Sequence, residues 1–111
     1  MSAPVEPGEP TELYNGNLTF TLYDDDPEEI YSETDSFEVE GEAVEGATVE
    51  VTIADTTYSG VWESYYGGLS VNFYDNADYV GGIAYDDGAC VITMTGDSVV
   101  GEKSVVITQT N

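Results

Sequence analysis

Basic residues are almost absent from this chain. Its 111 residues include 23 aspartates and glutamates but only one lysine, Lys103, with no arginine and no histidine, and the formal net charge is −22 at pH 7. A surface with one cation cannot displace the counterions around phosphates, so direct binding to nucleic acid is excluded. The same charge excludes binding to anionic lipid. The compatible partners are cationic: a basic protein, a metal ion or dissolved salt.

The missing histidine and arginine also argue against catalysis. Histidine is the commonest general base, and arginine is the usual clamp for phosphates and oxyanions. Cys90 alternates with Ile92 and Met94 on an apolar face, which predicts a buried thiol, whereas a reactive thiolate requires a nearby cation. The chain contains no phosphate-binding or dinucleotide-binding fingerprint. We therefore expect no enzymatic activity, no catalytic residue and no cofactor.

Cys90 is also the only cysteine, so an internal disulfide is impossible. Small domains without disulfides are typical of reducing compartments. The N-terminal residues lack a basic region followed by an apolar run, and no stretch is long enough to span a membrane. These features predict a cytoplasmic protein, located in the host cell if a phage encodes it.

The composition predicts one domain preceded by a tail. A length of 111 residues with 41% hydrophobic residues is sufficient for one modest core. Residues 1–12 contain three of the four prolines, interleaved with glutamates, and this pattern is typical of an extended, solvated segment. We expect residues 1–12 to form a flexible tail and residues 13–111 to form a single β domain.

From Asn17 onward, apolar and polar residues alternate as in half-buried β-strands. Val49, Val51 and Ile53 are expected to point inward from one strand, and Val105 and Ile107 from another. Turn residues separate about seven or eight such segments. We therefore predict an all-β fold, either a small antiparallel β-sandwich or a barrel. Residues 24–31 are expected to form a loop, in which residues 26–32 could form one helical turn.

Two glycine-containing turns predict hairpins and their registers. Asp87-Gly88 is typical of a type I′ turn and would place Tyr85 opposite Cys90. Gly67-Gly68 is another preferred two-residue connection. If it forms the turn, Trp62 lies opposite Phe73, and this pair marks the core face.

Two groups of acidic residues could bind a metal ion. Ca²⁺ prefers carboxylate and carbonyl oxygens on flexible loops. Neither group follows the EF-hand order, so we expect both to be solvated acidic loops and predict no metal site. The denser group comprises Asp24, Asp25, Asp26, Glu28 and Glu29. The weaker candidate comprises Asp75, Asn76 and Asp78.

A row of carboxylates on one strand could imitate nucleic acid. Glu38 and Glu40, followed by Glu42, are expected to project from one face, and residues two apart on a strand are separated by about 7 Å. That spacing is comparable to the distance between neighbouring phosphates. Such a row could occupy a basic groove built for a duplex, with fast and salt-sensitive association. A solvated face without a partner is the alternative.

Tyr65 and Tyr74 are expected on the outer face of the hairpin around Gly67-Gly68. Exposed tyrosines supply contact area and a hydroxyl group to protein interfaces. The predicted partner-binding residues are therefore the three glutamates of the row, these two tyrosines and the acidic cluster of Asp24, Asp25, Asp26, Glu28 and Glu29. In size and composition alone, the chain is similar to small acidic anti-restriction and anti-CRISPR proteins of phages, which inhibit nucleic-acid-handling proteins by presenting a phosphate-like surface.

Two other functions fit the same sequence. Short strands with abundant threonine, glycine and tyrosine are also typical of structural or adhesive β-modules, such as phage decoration or tail domains. Alternatively, the acidity could be an adaptation to high salt in a halophilic domain. One contiguous acidic face would favour a partner, whereas evenly spread charge would favour solvation.

Overall fold

The computed structural model describes residues 10–26 and 29–111, and within them the chain forms ten strands and no helix. All pairings are antiparallel. This confirms the all-β prediction, although the strands are more numerous than the seven or eight expected. Their bounds are β1 Pro10–Asp26, β2 Glu29–Thr34, β3 Phe37–Glu38, β4 Thr48–Ile53, β5 Thr56–Val61, β6 Glu63–Tyr65, β7 Gly68–Asp75, β8 Asp78–Asp86, β9 Ala89–Thr95 and β10 Gly101–Thr110.

The strands belong to one sheet whose two ends approach each other. The order is β5-β4-β10-β1-β2-β9-β8-β7-β6, and β3 pairs with β9. β5 packs against β7. The chain passes directly from β5 to β6 through Trp62, so one extended segment pairs with β4 on one side of Trp62 and with β7 on the other. The sheet therefore wraps around its own core.

The core is formed by alternate residues of the strands. Val49, Val51 and Ile53 are buried, as are Val105 and Ile107, which confirms the inward faces predicted from the alternation. The three largest fully buried side chains are Trp62 between β5 and β6, Phe20 of β1 and Phe73 of β7.

The segment predicted to form a loop is largely a hairpin. β1 continues to Asp26 and β2 begins at Glu29, so the loop prediction for residues 24–31 and the helical turn for residues 26–32 are wrong. Aspartate disfavours strands, but pairing along the length of β1 overrides that preference, with Tyr23 opposite Tyr31 and Asp26 opposite Glu29.

The N-terminal end of β1 lies within the predicted tail. Residues 10–12 pair with residues 108–110 of β10. The predicted tail segment therefore contributes at least its last three residues to the sheet, while residues 1–9 lie outside the described residues.

The two glycine turns have different outcomes. Asp87-Gly88 connects β8 to β9 with Tyr85 opposite Cys90, as predicted. The Gly67-Gly68 prediction is wrong by one residue, because the turn is Tyr66-Gly67, with φ values of 46° and 85°, and Tyr65 pairs with Gly68. Gly68 instead serves close packing, since a Cβ there would lie 2.5 Å from the Tyr85 carbonyl oxygen.

This shift also changes the role of Trp62. The residue lies between β5 and β6 and does not face Phe73 across the hairpin, although both side chains are buried. The Trp62 N–H donates to the Ala47 carbonyl at 3.0 Å, and its carbonyl accepts from Gly46 N–H at 2.9 Å. Trp62 thus enters the core at the point where the chain changes its pairing partner.

Candidate functional site

The segment that carries Glu38 and Glu40 is fixed to two other parts of the sheet. Val39 N–H donates to the Gly88 carbonyl at 3.0 Å, and Glu40 N–H donates to the Leu13 carbonyl at 2.8 Å. The Phe37 ring packs on Tyr14, with ring centroids 4.8 Å apart. These contacts hold the segment across the start of β1 and the β8–β9 turn.

Three carboxylates line one cleft as a result. Glu38 and Glu40 come from this segment and Glu12 comes from β1, and together with Leu13, Tyr14 and Asn15 they enclose about 210 Å³. Only the Asn15 amide lies within hydrogen-bonding distance of Glu12 Oε2, at 3.5 Å, among the described contacts. We call Glu12, Glu38 and Glu40 the acidic rim. Such a group can attract a cationic side chain because the lining residues include no basic residue.

The carboxylate row expected on one strand does not form. β3 ends at Glu38, so Glu40 and Glu42 do not continue a strand face. The Glu42 carbonyl accepts from Gln109 Nε2 at 3.1 Å, and Gln109 Oε1 accepts from Val44 N–H at 2.9 Å. These bonds tie residues 42–44 to β10, and Glu42 is exposed and does not line the cleft.

Glu12 was not predicted from the sequence because it falls in the proline-rich segment that was expected to be a tail. Its place in the acidic rim depends on the pairing of Glu12 with Thr108 of β10. No local pattern signals a pairing between residues so distant in sequence.

The acidic cluster at residues 24–29 lies at the other end of β1. The structure places Asp24, Asp25 and Asp26 in β1 and Glu29 at the first position of β2, while Glu28 lies outside the described residues. Because β1 runs from the acidic rim toward Asp26, these residues and the rim do not form one group.

Tyr65 and Tyr74 are both exposed, but the structure does not bring them together. The ring of Tyr65 packs edge to face on Tyr66, with ring centroids 4.5 Å apart, and Tyr74 packs in the same way on Tyr79, with centroids 5.9 Å apart. Tyr65 pairs with Gly68 at the start of β7, and Tyr74 lies six residues further along that strand, about 20 Å away at the usual strand rise. Partial burial of the Tyr79 hydroxyl raises the pKa of Tyr79, and the electrostatic effect of the neighbouring Tyr74 raises it further.

The weaker metal candidates lie at a tight turn. Asp75 and Asp78 pair across the β7–β8 connection, which contains Asn76. Within the described ranges, no three acidic or cysteine residues gather closely enough to hold a metal ion.

Exposed carboxylates also occur away from the acidic rim. Glu50 lies on β4, Asp55 in the β4–β5 turn and Glu102 on β10, and all three are exposed. The negative charge is therefore not confined to one face. By the criterion stated above, this spread of charge favours solvation. A partner is favoured only at the acidic rim, where carboxylates from separate segments line the same cleft.

Cys90 is buried, with 2% of its surface exposed, and burial raises the pKa of its thiol from 9.0 to about 12. We expect the folded chain at pH 8 to react with an aromatic disulfide reagent more than tenfold slower, to order of magnitude, than the unfolded chain.

The unfolded thiol loses its proton near pH 9, whereas the folded thiol keeps it to about pH 12. Stability should therefore fall as pH rises across that interval.

Stopped-flow labelling with and without denaturant checks the first expectation, and unfolding curves between pH 8 and pH 11 check the second. Cys90→Ala is the matched control, because it removes this part of the pH dependence. Rapid labelling of the folded wild-type chain would contradict the buried thiol.

No family model matches this chain, and neither a curated protein nor a solved structure resembles it significantly. The part of the chain that the structure describes contains no helix with the length and apolar character needed to cross a membrane. The function must therefore be inferred from the surface itself.

Proposed function

We propose that this protein is a non-catalytic inhibitor that occupies the basic groove of a nucleic-acid-handling protein in place of nucleic acid. The observation that carries the proposal is the acidic rim, in which Glu12, Glu38 and Glu40 line one cleft. The proposal assigns the phosphate-like surface to these three carboxylates and places the activity in the cytoplasm.

The charge of the chain supports this function in two ways. A net charge of −22 with a single lysine steers the chain toward cationic surfaces and accelerates encounter. It also prevents the chain from binding the nucleic acid with which it competes. Inhibition by occupying the partner's groove requires both properties.

The rigidity of the acidic rim supports it further. Backbone hydrogen bonds from Val39 and Glu40 and the packing of Phe37 on Tyr14 fix the segment before any partner binds. A fixed backbone has little conformational entropy left to lose on association, so more of the electrostatic attraction appears as affinity. Tyr14 lines the same cleft and offers an aromatic face to an arginine.

The test replaces the three carboxylates of the acidic rim with amides, in the variant Glu12→Gln, Glu38→Gln, Glu40→Gln. The immobilised wild-type chain captures proteins from a cell extract at low salt, and a captured nucleic-acid-binding protein is then bound to a labelled duplex. We expect wild-type chain to displace the duplex, and the rim variant to need roughly 100-fold more protein, because loss of paired interfacial charges costs several kcal/mol.

The control variant, Glu50→Gln, Asp55→Asn, Glu102→Gln, has the same total charge as the rim variant and should inhibit within about threefold of wild type. Equal loss of inhibition in both variants would mean that total charge, and not the acidic rim, determines binding. Undiminished inhibition by the rim variant would place the contact surface elsewhere.

A structural β-module is the second candidate, and the β1–β2 hairpin favours it. Beyond Phe20, β2 is the one described strand that pairs with β1, and this hairpin exposes Leu22 and Ile30 at 49% and 45%. An unpaired strand edge with exposed apolar residues is a route to self-association. Self-association of the chain, without displacement of a duplex from any captured protein, would favour this candidate.

A further inference from the structure

The two ends of the sheet meet without pairing. Among the described strands, β5 pairs with β4 alone, and β7 beyond Ser70 pairs with β8 alone. No ladder joins β5 to β7 among the described strands. The two strands touch at Gly60, where a Cβ would lie 2.7 Å from the Asn72 carbonyl oxygen and 2.6 Å from Val71 Cγ2. Because a Cβ points out of the face of a strand, this contact sets β7 against the core-facing side of β5 at Gly60, and the two strands meet there at a seam without pairing.

The seam opens into a cavity beside Gly60. Residues 56–59 of β5 form one wall, Tyr74 and Asp75 of β7 form the opposite wall, and the enclosed volume is about 510 Å³. Val80, Met94 and Val99 supply apolar surface between the walls. We call this cavity the seam cleft. Its volume lies within the range of about 300–1,000 Å³ that is usual for ligand sites.

On the side of β5 away from β4, the backbone has hydrogen-bonding groups with which no described strand pairs. Ile53 pairs with Thr56 across a two-residue turn, so Thr56 and Tyr58 direct their backbone groups toward β4. In an antiparallel ladder the intervening residues point the other way. The N–H and C=O groups of Thr57 and Ser59 therefore face the unpaired side of β5.

This edge lacks the usual protection against strand addition. Natural edge strands carry charged residues, proline or a bulge that blocks further pairing. β5 reads TTYSGV, with no charged residue and no proline, and its pairing with β4 is continuous. An incoming extended segment can therefore form a ladder with it.

The side chains lining the seam cleft indicate the chemistry of that segment. Asp75 supplies a carboxylate, and Tyr58 and Tyr74 supply aromatic rings. A lysine or arginine can pack its methylene groups on apolar surface while its charge reaches a carboxylate or an aromatic face. With a net charge of −22, the protein would repel an acidic segment.

We propose that the seam cleft binds an extended, basic segment of a partner protein, which adds as a strand to the free edge of β5 and places a lysine or arginine beside Asp75. This is a second contact surface and does not rest on the acidic rim. Glu38 lies opposite Ala89 at the start of β9, whereas Met94 and Thr95 line the seam cleft, and the intervening residues of β9 span about 20 Å.

The experiment uses the full chain and a fluorescent nine-residue peptide of alternating lysine and valine, with binding followed by anisotropy. We expect Ser59→Pro to weaken binding at least tenfold, to order of magnitude, because proline removes the edge N–H while sparing the bonds to β4. Ser59→Ala is the matched control, since it keeps the N–H and should bind within about twofold of wild type. Both substitutions leave the charge unchanged.

A second measurement uses only the wild-type chain, so it does not depend on the folding of the proline variant. A peptide methylated on alternate backbone nitrogens keeps its charge but cannot complete a ladder, and we expect it to bind at least about tenfold more weakly than the unmethylated peptide. Amide hydrogens of Thr57 and Ser59 should exchange more slowly when the unmethylated peptide is bound.

Three outcomes would overturn this proposal. Equal binding of the methylated peptide would show that charge alone attracts it, and unchanged binding by a folded Ser59→Pro chain would show the same. A wild-type dimer that Ser59→Pro converts to a monomer would identify the occupant as a second copy of this chain. The variant that lacks the rim carboxylates should bind the peptide as wild type does, so failure of the two proposals is distinguishable.

Discussion

Replacing Trp62 with alanine is expected to lower the free energy of unfolding by about 3–5 kcal/mol, as is usual when a large buried aromatic side chain is truncated. Trp62 has 1% of its surface exposed and is the largest of the fully buried side chains. Domains of this size are typically stable by only about 5–15 kcal/mol. The substitution should therefore remove a large fraction of the total stability.

The position of Trp62 explains why the loss should be large. Its backbone joins the chain to Gly46 and Ala47 through two hydrogen bonds, and its indole lies 6.0 Å from the Tyr85 ring on β8. β5 is the first strand in the order of the sheet and β6 is the last, and Trp62 connects them. The indole consequently fills the core where the sheet closes around itself, and few neighbours could move to fill the space it leaves.

Two further variants test this interpretation by urea denaturation. Tyr66→Ala removes an aromatic ring that is 93% exposed and should change stability by less than about 0.5 kcal/mol. Trp62→Phe should cost less than alanine, because phenylalanine fills most of the same space. It also removes the buried Nε1 donor, which has no hydrogen-bond partner among the described residues. A loss below about 1 kcal/mol in Trp62→Ala would contradict the structural role of the indole.

Salt is expected to raise the melting temperature by roughly 10 °C or more between about 10 mM and 1 M sodium chloride, an interval over which the screening length falls from about 30 Å to 3 Å. With 23 acidic residues and one lysine, almost every carboxylate is repelled by others and few can be paired. Folding brings these charges closer together, so screening favours the folded state.

Differential scanning calorimetry at several salt concentrations measures this effect. The variant Glu50→Gln, Asp55→Asn, Glu102→Gln is the control, because fewer acids should give a shallower dependence on salt than in wild type. Sucrose separates charge screening from general exclusion of cosolutes, since it stabilises folded proteins without screening charge. A melting temperature that does not change with salt would show that repulsion is unimportant for stability.

Local alternation was sufficient to predict the inward faces of the central strands. Val49, Val51 and Ile53 alternate with polar residues, and burial of one sheet face allows only one orientation for such a strand. The Asp87-Gly88 turn was predictable for a similar reason, since both residues accept the positive φ values that a type I′ turn requires.

The Tyr66-Gly67 turn was not predictable in the same way. Tyrosine rarely adopts a positive φ, and Gly67-Gly68 offered a less strained alternative. The deciding factor is the approach of the Tyr85 carbonyl to Gly68, a contact between strands that the local sequence does not reveal. Moving the turn by one residue shifts the partner of each β6 residue by two positions on β7, so the predicted faces are kept: Trp62 is buried and Tyr65 is exposed, as expected.

The acidic rim was only partly predictable because it combines segments that are distant in sequence. Glu38 and Glu40 were identified from the alternation near Phe37, but the prediction of one continuous strand failed where the chain turns to bond with Leu13. The seam cleft had no sequence signal, since it arises where β5 and β7 meet without pairing. Both sites depend on tertiary contacts that local patterns do not encode.

The pairing of β1 with β10 places a kinetic constraint on the chain. Pro10 lies opposite Thr110 and Phe20 opposite Gly101, so the ladder near the middle of the sheet joins residues at widely separated positions. Such pairings form slowly because a long loop must close first. On a ribosome, β1 remains without this neighbour until β10 has been synthesised. Mutual repulsion among chains with a net charge of −22 opposes their aggregation during that interval.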